Sequence, residues 1–338
     1  MLASGLDAFV ARAVLAGLAQ RSLDVQYYLY HNDLTGKLFT QQLLKAADRG
    51  VRVRLLVDDM GLEGRDFGAL ALDAHPNIEV RIINPFIRGS SRLTQYVSRL
   101  GKVTRRMHNK SFIADNQATI LGGRNIGNEY FEADPDLEFG DLDVLAICPV
   151  VRQASDVFDL YWNSDLVYPV SALIKQPPSA QEINAGRAGL DKFTANQSDS
   201  EYAVALRESN LAQRLQADQV EFHWGDGKVV YDHPDKLLED RTRTDLHLAN
   251  QLKSLFDEVQ QELIIFSPYF VPTLNGVDKL VALSRNGVRV RILTNSLAST
   301  DVGVAYAGYA KYRKALLHGG IELYEMNKRL TREQRKEM

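Results

Sequence analysis

Two stretches of the chain show the same succession of apolar and polar positions. In each, an apolar run and a polar turn lead into a helix pattern, a glycine turn, a second strand pattern, another helix pattern and a third strand. The string GVRVRLLVDD, for example, returns as GVRVRILTNS. The matching segments are 23–36 with 263–276, 50–59 with 287–296, and 75–85 with 318–327. Three matches in the same order predict an internal duplication.

The duplicated pattern predicts the fold class. Strands that alternate with helices form βαβ units, in which neighbouring strands are parallel. We therefore expect two copies of an α/β domain with mixed, mostly parallel β-sheets flanked by helices. Residues 165–260, which lie between the copies, show no pattern that indicates chemistry. We interpret them as a spacer or a substrate-binding insert.

The start of the chain predicts an amphipathic helix rather than a signal peptide, because it lacks a basic beginning and contains Asp7. The residues expected on its apolar side are Leu6, Phe9, Val10, Ala13 and Leu18. No run of about 18 apolar residues occurs, so no membrane-spanning helix is predicted. Cys148 lies in the apolar run VLAICPVV and is expected to be a buried core thiol.

Candidate chemistry is concentrated in one predicted hairpin. The string MHNKSFIA alternates as a strand does, DNQ suits a tight turn, and ATIL returns. A period of two places His108 and Lys110 on the same face. Gly122 and Gly123 allow backbone amides to approach an anion, and Asn125 adds a neutral donor. These groups together predict a phosphate site that contains a nucleophile.

Composition and charge narrow the chemistry. The 338 residues predict two domains, and the net charge of −3 argues against a globally basic nucleic-acid binder. Segment 81–110 nevertheless contains no Asp or Glu, which indicates a basic surface beside His108 or, alternatively, a solvated loop. Its basic residues are Arg81, Arg88, Arg92, Arg99, Lys102, Arg105, Arg106 and Lys110. The histidines show no metal-ligand spacing and there is one cysteine, so neither a metal nor another cofactor is predicted.

The hairpin carries the pattern H-x-K-x4-D-x6-G-G-x-N, which resembles the HKD motif of the phospholipase D superfamily. The residues that match the pattern are His108, Lys110, Asp115, Gly122, Gly123 and Asn125. The duplicated halves are similar to a superfamily built from two such motifs. The strings LDVQYYLY, GGRNIG, DLDVLAI and SPYFVPT resemble the bacterial cardiolipin synthase C type. The resemblance covers most of the chain and is weakest in the middle segment.

The resemblance implies phosphodiester exchange through a covalent phosphohistidine. One histidine attacks phosphorus, and the histidine of the other motif protonates the leaving alkoxide and then deprotonates the incoming alcohol. In this sequence the implied nucleophile is His108. Lys110 and Asn125 would hold the non-bridging phosphate oxygens, and the two glycine amides would line the same anion site. Asp115 belongs to the catalytic motif but falls at the turn, where a structural role is expected.

Family members also place an acidic residue on the following strand, where it orients the histidine. The string GDLDVLAI offers Asp141 and Asp143 on one face. Both carboxylates remain open as candidates, and we favour Asp143.

We predict three parts in the chain. Residues 1–165 form a first phospholipase D-like domain with the HKD motif, residues 166–250 a connecting segment, and residues 251–338 a second such domain.

The repeat also predicts where a second motif would lie. His108 follows Ile78 by 30 residues, so the same spacing after Ile321 places a second H-x-K near position 350, beyond Met338. We therefore expect the second domain to be incomplete and the chain to be weakly active or inactive, unless a homodimer or a partner protein completes the site.

The resemblance implies a phosphatidyltransferase that is peripheral at the bacterial cytoplasmic membrane and uses phospholipids such as phosphatidylglycerol and phosphatidylethanolamine. A phospholipase D-type phosphodiesterase or nuclease is the alternative within the superfamily, although the net acidity makes nucleic acid a poor fit. A non-catalytic, one-motif module that binds anionic lipid is the alternative from a different class.

Overall fold

The chain forms two compact units, Met1–Leu248 and Ala249–Met338. The predicted division into three domains stays a prediction. The residues described by the computed structural model are 1–62, 66–88, 106–174, 177–240 and 242–326.

A seven-stranded mixed sheet forms the centre of the first unit. Its strands are β1 (Ser22–Tyr27), β2 (Arg52–Asp58), β3 (Ile78–Ile83), β4 (Ser111–Ala114), β5 (Ala118–Gly122), β6 (Asp143–Ile147) and β7 (Val167–Pro169). Their spatial order is β6-β5-β4-β1-β2-β3-β7. The pairs β1–β2 and β2–β3 are parallel, and the strands added on either side are antiparallel to their neighbours.

Helices flank this sheet and the sheet of the second unit. In chain order they are α1 (Gly5–Leu18), α2 (Leu34–Asp48), α3 (Asp66–Asp73), α4 (Pro149–Trp162), α5 (Val170–Leu173), α6 (Ala180–Asn196), α7 (Glu201–Arg207), α8 (Asn210–Gln216), α9 (Leu248–Gln251), α10 (Lys253–Asp257), α11 (Thr273–Arg285), α12 (Gly303–Ala310) and α13 (Arg313–His318). None of the helices within the described ranges has the length and apolar character needed to cross a bilayer.

The second unit contains a three-stranded parallel sheet in the order β10-β9-β8. Its strands are β8 (Glu262–Phe266), β9 (Arg289–Asn295) and β10 (Glu322–Met326). The repeated strings become equivalent elements, because both GVRVR segments lead from a helix into a parallel strand. Gly50 and Gly287 follow α2 and α11 with φ of 93° and 89°, a left-handed conformation that glycine adopts without strain. The predicted mixed α/β fold with flanking helices is confirmed.

Both faces of the first sheet are covered by apolar packing. Leu55 and Leu56 are adjacent in β2 and belong to different hydrophobic clusters, as the alternation of a strand requires. The cluster with Leu55 packs under α1 and α2, and the cluster with Leu56 includes Phe158 and Trp162 of α4. The sheet is therefore a rigid support for the residues at its strand ends.

The predicted hairpin is present, with β4 and β5 joined at residues 115–117. The strand begins at Ser111, however, so His108 and Lys110 lie in the segment directly before β4 rather than in the strand itself.

Two predictions about burial are wrong. Cys148 is exposed, because it occupies the junction between β6 and α4 with a φ of 69° instead of continuing the strand. Leu18 is 68% exposed, because it is the last residue of α1 and lies beyond the part of the helix that packs on the sheet.

The segment between the two copies packs against the first unit. Its strand β7 pairs with β3. Gln41 of α2 donates a 2.8 Å hydrogen bond from Nε2 to Asp191 Oδ1 of α6, and Tyr202 Oη donates to the carbonyl oxygen of Phe131 at 3.1 Å. The segment is therefore part of the same compact unit as the hairpin.

Candidate active site

His108 and Lys110 meet at one aromatic ring beyond the end of β1. The His108 ring stacks on Tyr28, with centroids 4.1 Å apart and planes inclined by 24°. Lys110 Nζ lies 5.4 Å from the centroid of the same ring and donates a 2.7 Å hydrogen bond to the His108 carbonyl oxygen. Tyr27, by contrast, is fully buried in the core. The structure therefore brings the predicted histidine and lysine together and adds Tyr28 to them.

The orientation of the His108 ring is set by a backbone group. Its Nδ1 lies 3.1 Å from the carbonyl oxygen of Arg106. Because a carbonyl only accepts, Nδ1 carries the proton in the neutral ring and Nε2 carries the lone pair. The nitrogen farther from the backbone is thus the nucleophilic one.

The residues before His108 are held by the end of β2. Asp58 is fully buried and accepts hydrogen bonds of 3.2 Å from Arg106 Nη1 and from the Met107 amide. Arg106 also donates to the carbonyl oxygen of Asn84 at 2.8 Å. Burial raises the pKa of Asp58 to about 7, and the Arg106 charge opposes this shift. Asp58 therefore fixes the segment whose carbonyl orients His108.

The surroundings lower the pKa of both candidate side chains. Desolvation lowers the pKa of His108, and the charges of Lys110 and Lys236 add to this effect. Desolvation also lowers the pKa of Lys110 to about 8, against the attraction of nearby carboxylates. At neutral pH the imidazole is therefore neutral and nucleophilic beside a lysine that is still largely charged.

Asp143, the favoured candidate for orienting the histidine, lies in a buried ion pair. Its Oδ2 is 2.9 Å from Arg12 Nη2 and 3.6 Å from Arg124 Nη1. Asp141 accepts a 2.8 Å hydrogen bond from the amide of Leu142. Within the described chain neither carboxylate hydrogen-bonds to His108. A guanidinium from α1 engages the Asp143 carboxylate, and the role of Asp143 in orienting His108 stays a prediction.

Gly122 and Gly123 make room for these two carboxylates. A Cβ on Gly122 would lie 2.0 Å from Asp143 Oδ1, and a Cβ on Gly123 would lie 2.0 Å from Asp141 Oδ1. The Gly123 amide donates a long, 3.4 Å hydrogen bond to the Leu142 carbonyl oxygen. The use of the two glycine amides to bind phosphate stays a prediction. Their lack of a side chain lets β5 and β6 pack with both carboxylates between them.

We expect Gly122→Ala to destabilise the first unit by about 1–3 kcal/mol, the usual cost of overpacking. The added Cβ would also lie 2.6 Å from the Asp143 Cα and from the Leu142 carbonyl oxygen, so the backbone of β6 must move. Urea unfolding followed by tryptophan fluorescence measures the change. Gly140→Ala is the matched control, because nothing lies within 4 Å of its added Cβ. Unchanged stability with weaker substrate binding would instead support the phosphate-binding role of the glycine.

Asn125 is buried and its amide is engaged on both sides. Its Oδ1 accepts a 3.0 Å hydrogen bond from the Leu29 amide, and its Nδ2 donates to Tyr130 Oη at 2.8 Å. The role of Asn125 as a phosphate donor stays a prediction. In this placement Asn125 fixes the chain directly after Tyr28, and so supports the ring on which His108 stacks.

Asp115 lies at the opposite end of β4 from His108. Its carboxylate accepts hydrogen bonds of 2.7–2.8 Å from the amides of Gln20, Arg21 and Ser22. Desolvation opposes ionisation of Asp115, but these amides outweigh it and lower the pKa. The placement fits the structural role expected at the turn and does not bring Asp115 to the catalytic centre.

The three described arginines of the basic run each pair with a carboxylate, and Lys110 donates to the His108 carbonyl oxygen. The pairs are Arg81–Glu79, Arg88–Asp59 and Arg106–Asp58. The remaining predicted members, Arg92, Arg99, Lys102 and Arg105, lie outside the described residues. Asp58 and Asp59 thus anchor the segments that contain Arg106 and Arg88, respectively.

Sequence reasoning missed one wall of the site. A cavity of about 200 Å³ adjoins His108, and residues of the middle segment line its other side. They are Asp232, His233, Lys236 and Leu237, with Tyr161 of α4 beside them. The D-x-x-x-K spacing of Asp232 and Lys236 was the available signal, since it places an ion pair on one turn.

One group of potential metal ligands occurs within the described ranges. His31 Nδ1 lies 3.2 Å from Glu129 Oε1 and 3.9 Å from Asp33 Oδ2. Asp33 caps the start of α2 by accepting from the Gly36 amide, and it also accepts from the amide of Asn128. The group joins α2 to the chain after β5, and we assign no metal to it.

Comparison with known proteins connects this geometry to a family. The chain matches the family model described as "Cardiolipin synthase, PLD-like domain" over residues 15–162 and 252–336. It is 41% identical to cardiolipin synthase C of Escherichia coli strain K12 over 334 residues, which are 98% of this chain and 69% of that protein. An uncharacterized protein of Helicobacter pylori strain ATCC 700392 / 26695 is 34% identical over 96% of this chain and 64% of its own length.

A solved structure shows the same fold at low sequence identity. Phosphatidylserine synthase of Haemophilus influenzae Rd KW20 matches 95% of this chain and 71% of its own chain with a TM-score of 0.60 and 14% identity. The chain thus spans about two thirds of the length of the proteins it matches.

Proposed function

This chain belongs to the phospholipase D superfamily, in the family of cardiolipin synthases with a PLD-like domain, and from that membership we propose that its His108 site transfers phosphatidyl groups between phospholipids. One observation carries the proposal. His108 Nδ1–H donates a hydrogen bond to the Arg106 carbonyl oxygen, so the Nε2 lone pair is available to attack phosphorus beside the Lys110 ammonium.

The proposed first step forms a phosphohistidine. His108 Nε2 attacks the phosphorus of a phospholipid, and the bond from phosphorus to the headgroup oxygen breaks as the nitrogen–phosphorus bond forms. Lys110 stabilises the negative charge that grows on the non-bridging oxygens. The alkoxide takes a proton as it leaves. The alcohol of a second phospholipid then loses a proton and attacks the phosphohistidine, which restores His108.

The two proton transfers need a second acid–base group. The resemblance assigns them to the histidine of a second HKD motif, and we propose no described residue for that role. Phosphatidylglycerol and phosphatidylethanolamine are the proposed substrates, and the membrane surface that holds them is the proposed location.

We expect the wild-type protein to convert phosphatidylglycerol, labelled in its phosphate, to diphosphatidylglycerol. Free glycerol or ethanolamine should be released. Vesicles that contain both phospholipids, followed by thin-layer chromatography, measure the product. The site would be a hydrolase rather than a transferase if phosphatidic acid were the sole labelled product. Cleavage of single-stranded DNA without any lipid product would support the nuclease alternative.

A further inference from the structure

The cavity beside His108 has an ion pair on the wall opposite the catalytic segment. Arg106, Met107, His108 and Asn109 form one side, and the segment 232–237 forms the other. Asp232 Oδ2 lies 2.6 Å from Lys236 Nζ. We propose that Lys236, held by Asp232, binds the phosphodiester oxygens of the substrate from this wall. The inference rests on the proposed function and extends it to a residue outside the HKD motif.

The wall is fixed to the first unit by several contacts. Tyr161 Oη of α4 donates a 2.6 Å hydrogen bond to the Asp232 carbonyl oxygen, and the Leu248 amide donates to Asp232 Oδ1 at 2.6 Å. Pro234 is buried at the start of a short 3-10 helix, Pro234–Leu237. Leu237 packs against the hydrophobic cluster that contains Met107. The apolar packing and the hydrogen bonds therefore give the ammonium a defined position.

Charged groups of segment 232–237 and of the catalytic segment act on the His108 ring. The charge of Lys236 acts on the His108 ring in the same direction as that of Lys110, and Asp232 acts in the opposite direction. Two ammonium groups from different parts of the chain thus influence one imidazole. An anionic phosphodiester at His108 would be attracted by both.

The chemistry of the wall favours phosphate over a cationic headgroup. The Lys236 ammonium already offsets the charge of Asp232, so this carboxylate attracts an additional ammonium only weakly. An ammonium has three N–H donors, so Lys236 can contact Asp232 and phosphate oxygens at the same time. A cavity of about 200 Å³ accommodates a phosphate with a small alcohol.

Lys236→Met tests the proposal with inorganic phosphate as the probe. We expect the substitution to raise the phosphate Kd about tenfold or more, as observed for lost hydrogen bonds to charged groups. The His108 Cε1–H resonance of the natural protein, identified by its absence in His108→Ala, reports binding. The substitution should also raise the pKa of His108 in a pH titration of the same resonance, because it removes a positive charge that acts on the ring.

Two variants control the experiment. Lys228→Met removes an exposed lysine that precedes the wall segment 232–237 and should leave both the phosphate Kd and the His108 titration unchanged. Lys236→Arg keeps the charge and should bind phosphate within about threefold of the wild type. An unchanged Kd in Lys236→Met overturns the inference, even if the wild type transfers phosphatidyl groups. Lys236-dependent phosphate binding without any transfer product would retain the anion site and overturn the proposed function.

Discussion

His108→Ala is expected to lower phosphatidyl transfer by at least about a thousandfold, because it removes the atom that forms the covalent intermediate. His108 is exposed although its ring is partly desolvated, and its ring contact is with Tyr28, so the substitution should leave the first unit folded. The variant should therefore lose transfer activity while keeping its fold. Tryptophan fluorescence before and after substitution checks that point.

Covalent trapping separates the nucleophile from a residue that merely binds substrate. The natural protein is mixed with phosphatidylglycerol labelled in its phosphate, denatured in alkali and separated on a denaturing gel. We expect label on the wild type and none on His108→Ala. The label should be lost in acid and survive in alkali, because a nitrogen–phosphorus bond hydrolyses in acid.

The matched control for this experiment is His223→Ala, which removes an exposed histidine of the same unit. It should become labelled as the wild type does. If His108→Ala were labelled to the same extent as the wild type, the nucleophile would be another residue and the assignment of His108 would be lost.

Local sequence patterns predicted the frame of the site. The alternation in MHNKSFIA and the DNQ turn predicted the hairpin, which β4 and β5 form. The spacing of His108 and Lys110 predicted neighbouring side chains, and both contact Tyr28. These predictions depend on geometry within a few residues, which the sequence specifies directly.

The partners of the remaining motif residues could not be read from local spacing. Asp143 pairs with Arg12, which lies 131 residues away, and Lys236 lines the cavity from the middle segment, where its spacing from Asp232 indicated an ion pair but not its position. The Asn125 amide hydrogen-bonds to the Leu29 amide and to Tyr130 Oη. In each case the tertiary fold decides which of several possible hydrogen bonds is made. The motif therefore predicted that His108 and Lys110 lie together, but not the hydrogen-bond partners of Asp115, Asn125 and Asp143.

Asp143→Asn is expected to destabilise the first unit by about 3–5 kcal/mol, because it leaves a buried guanidinium without its counter-charge. Arg12 and Asp143 are 1% and 0% exposed. Arg12 would retain its hydrogen bonds to the Ala8 carbonyl oxygen and to Tyr27 Oη, but neither partner is charged at neutral pH. The predicted effect thus lies in stability, whereas a residue that orients His108 would act on the rate.

Urea unfolding can measure this change selectively, because both tryptophans, Trp162 and Trp224, belong to the first unit. A loss of this size should lower the urea midpoint by about 1–2 M. Asp141→Asn, two residues away and partly exposed, is the matched control and should shift the midpoint little. The double variant Arg12→Met/Asp143→Asn should lose less than the sum of the single changes, because no unpaired charge remains from the pair. A normal midpoint with a slow transfer rate in Asp143→Asn would instead support the role that the family resemblance implies.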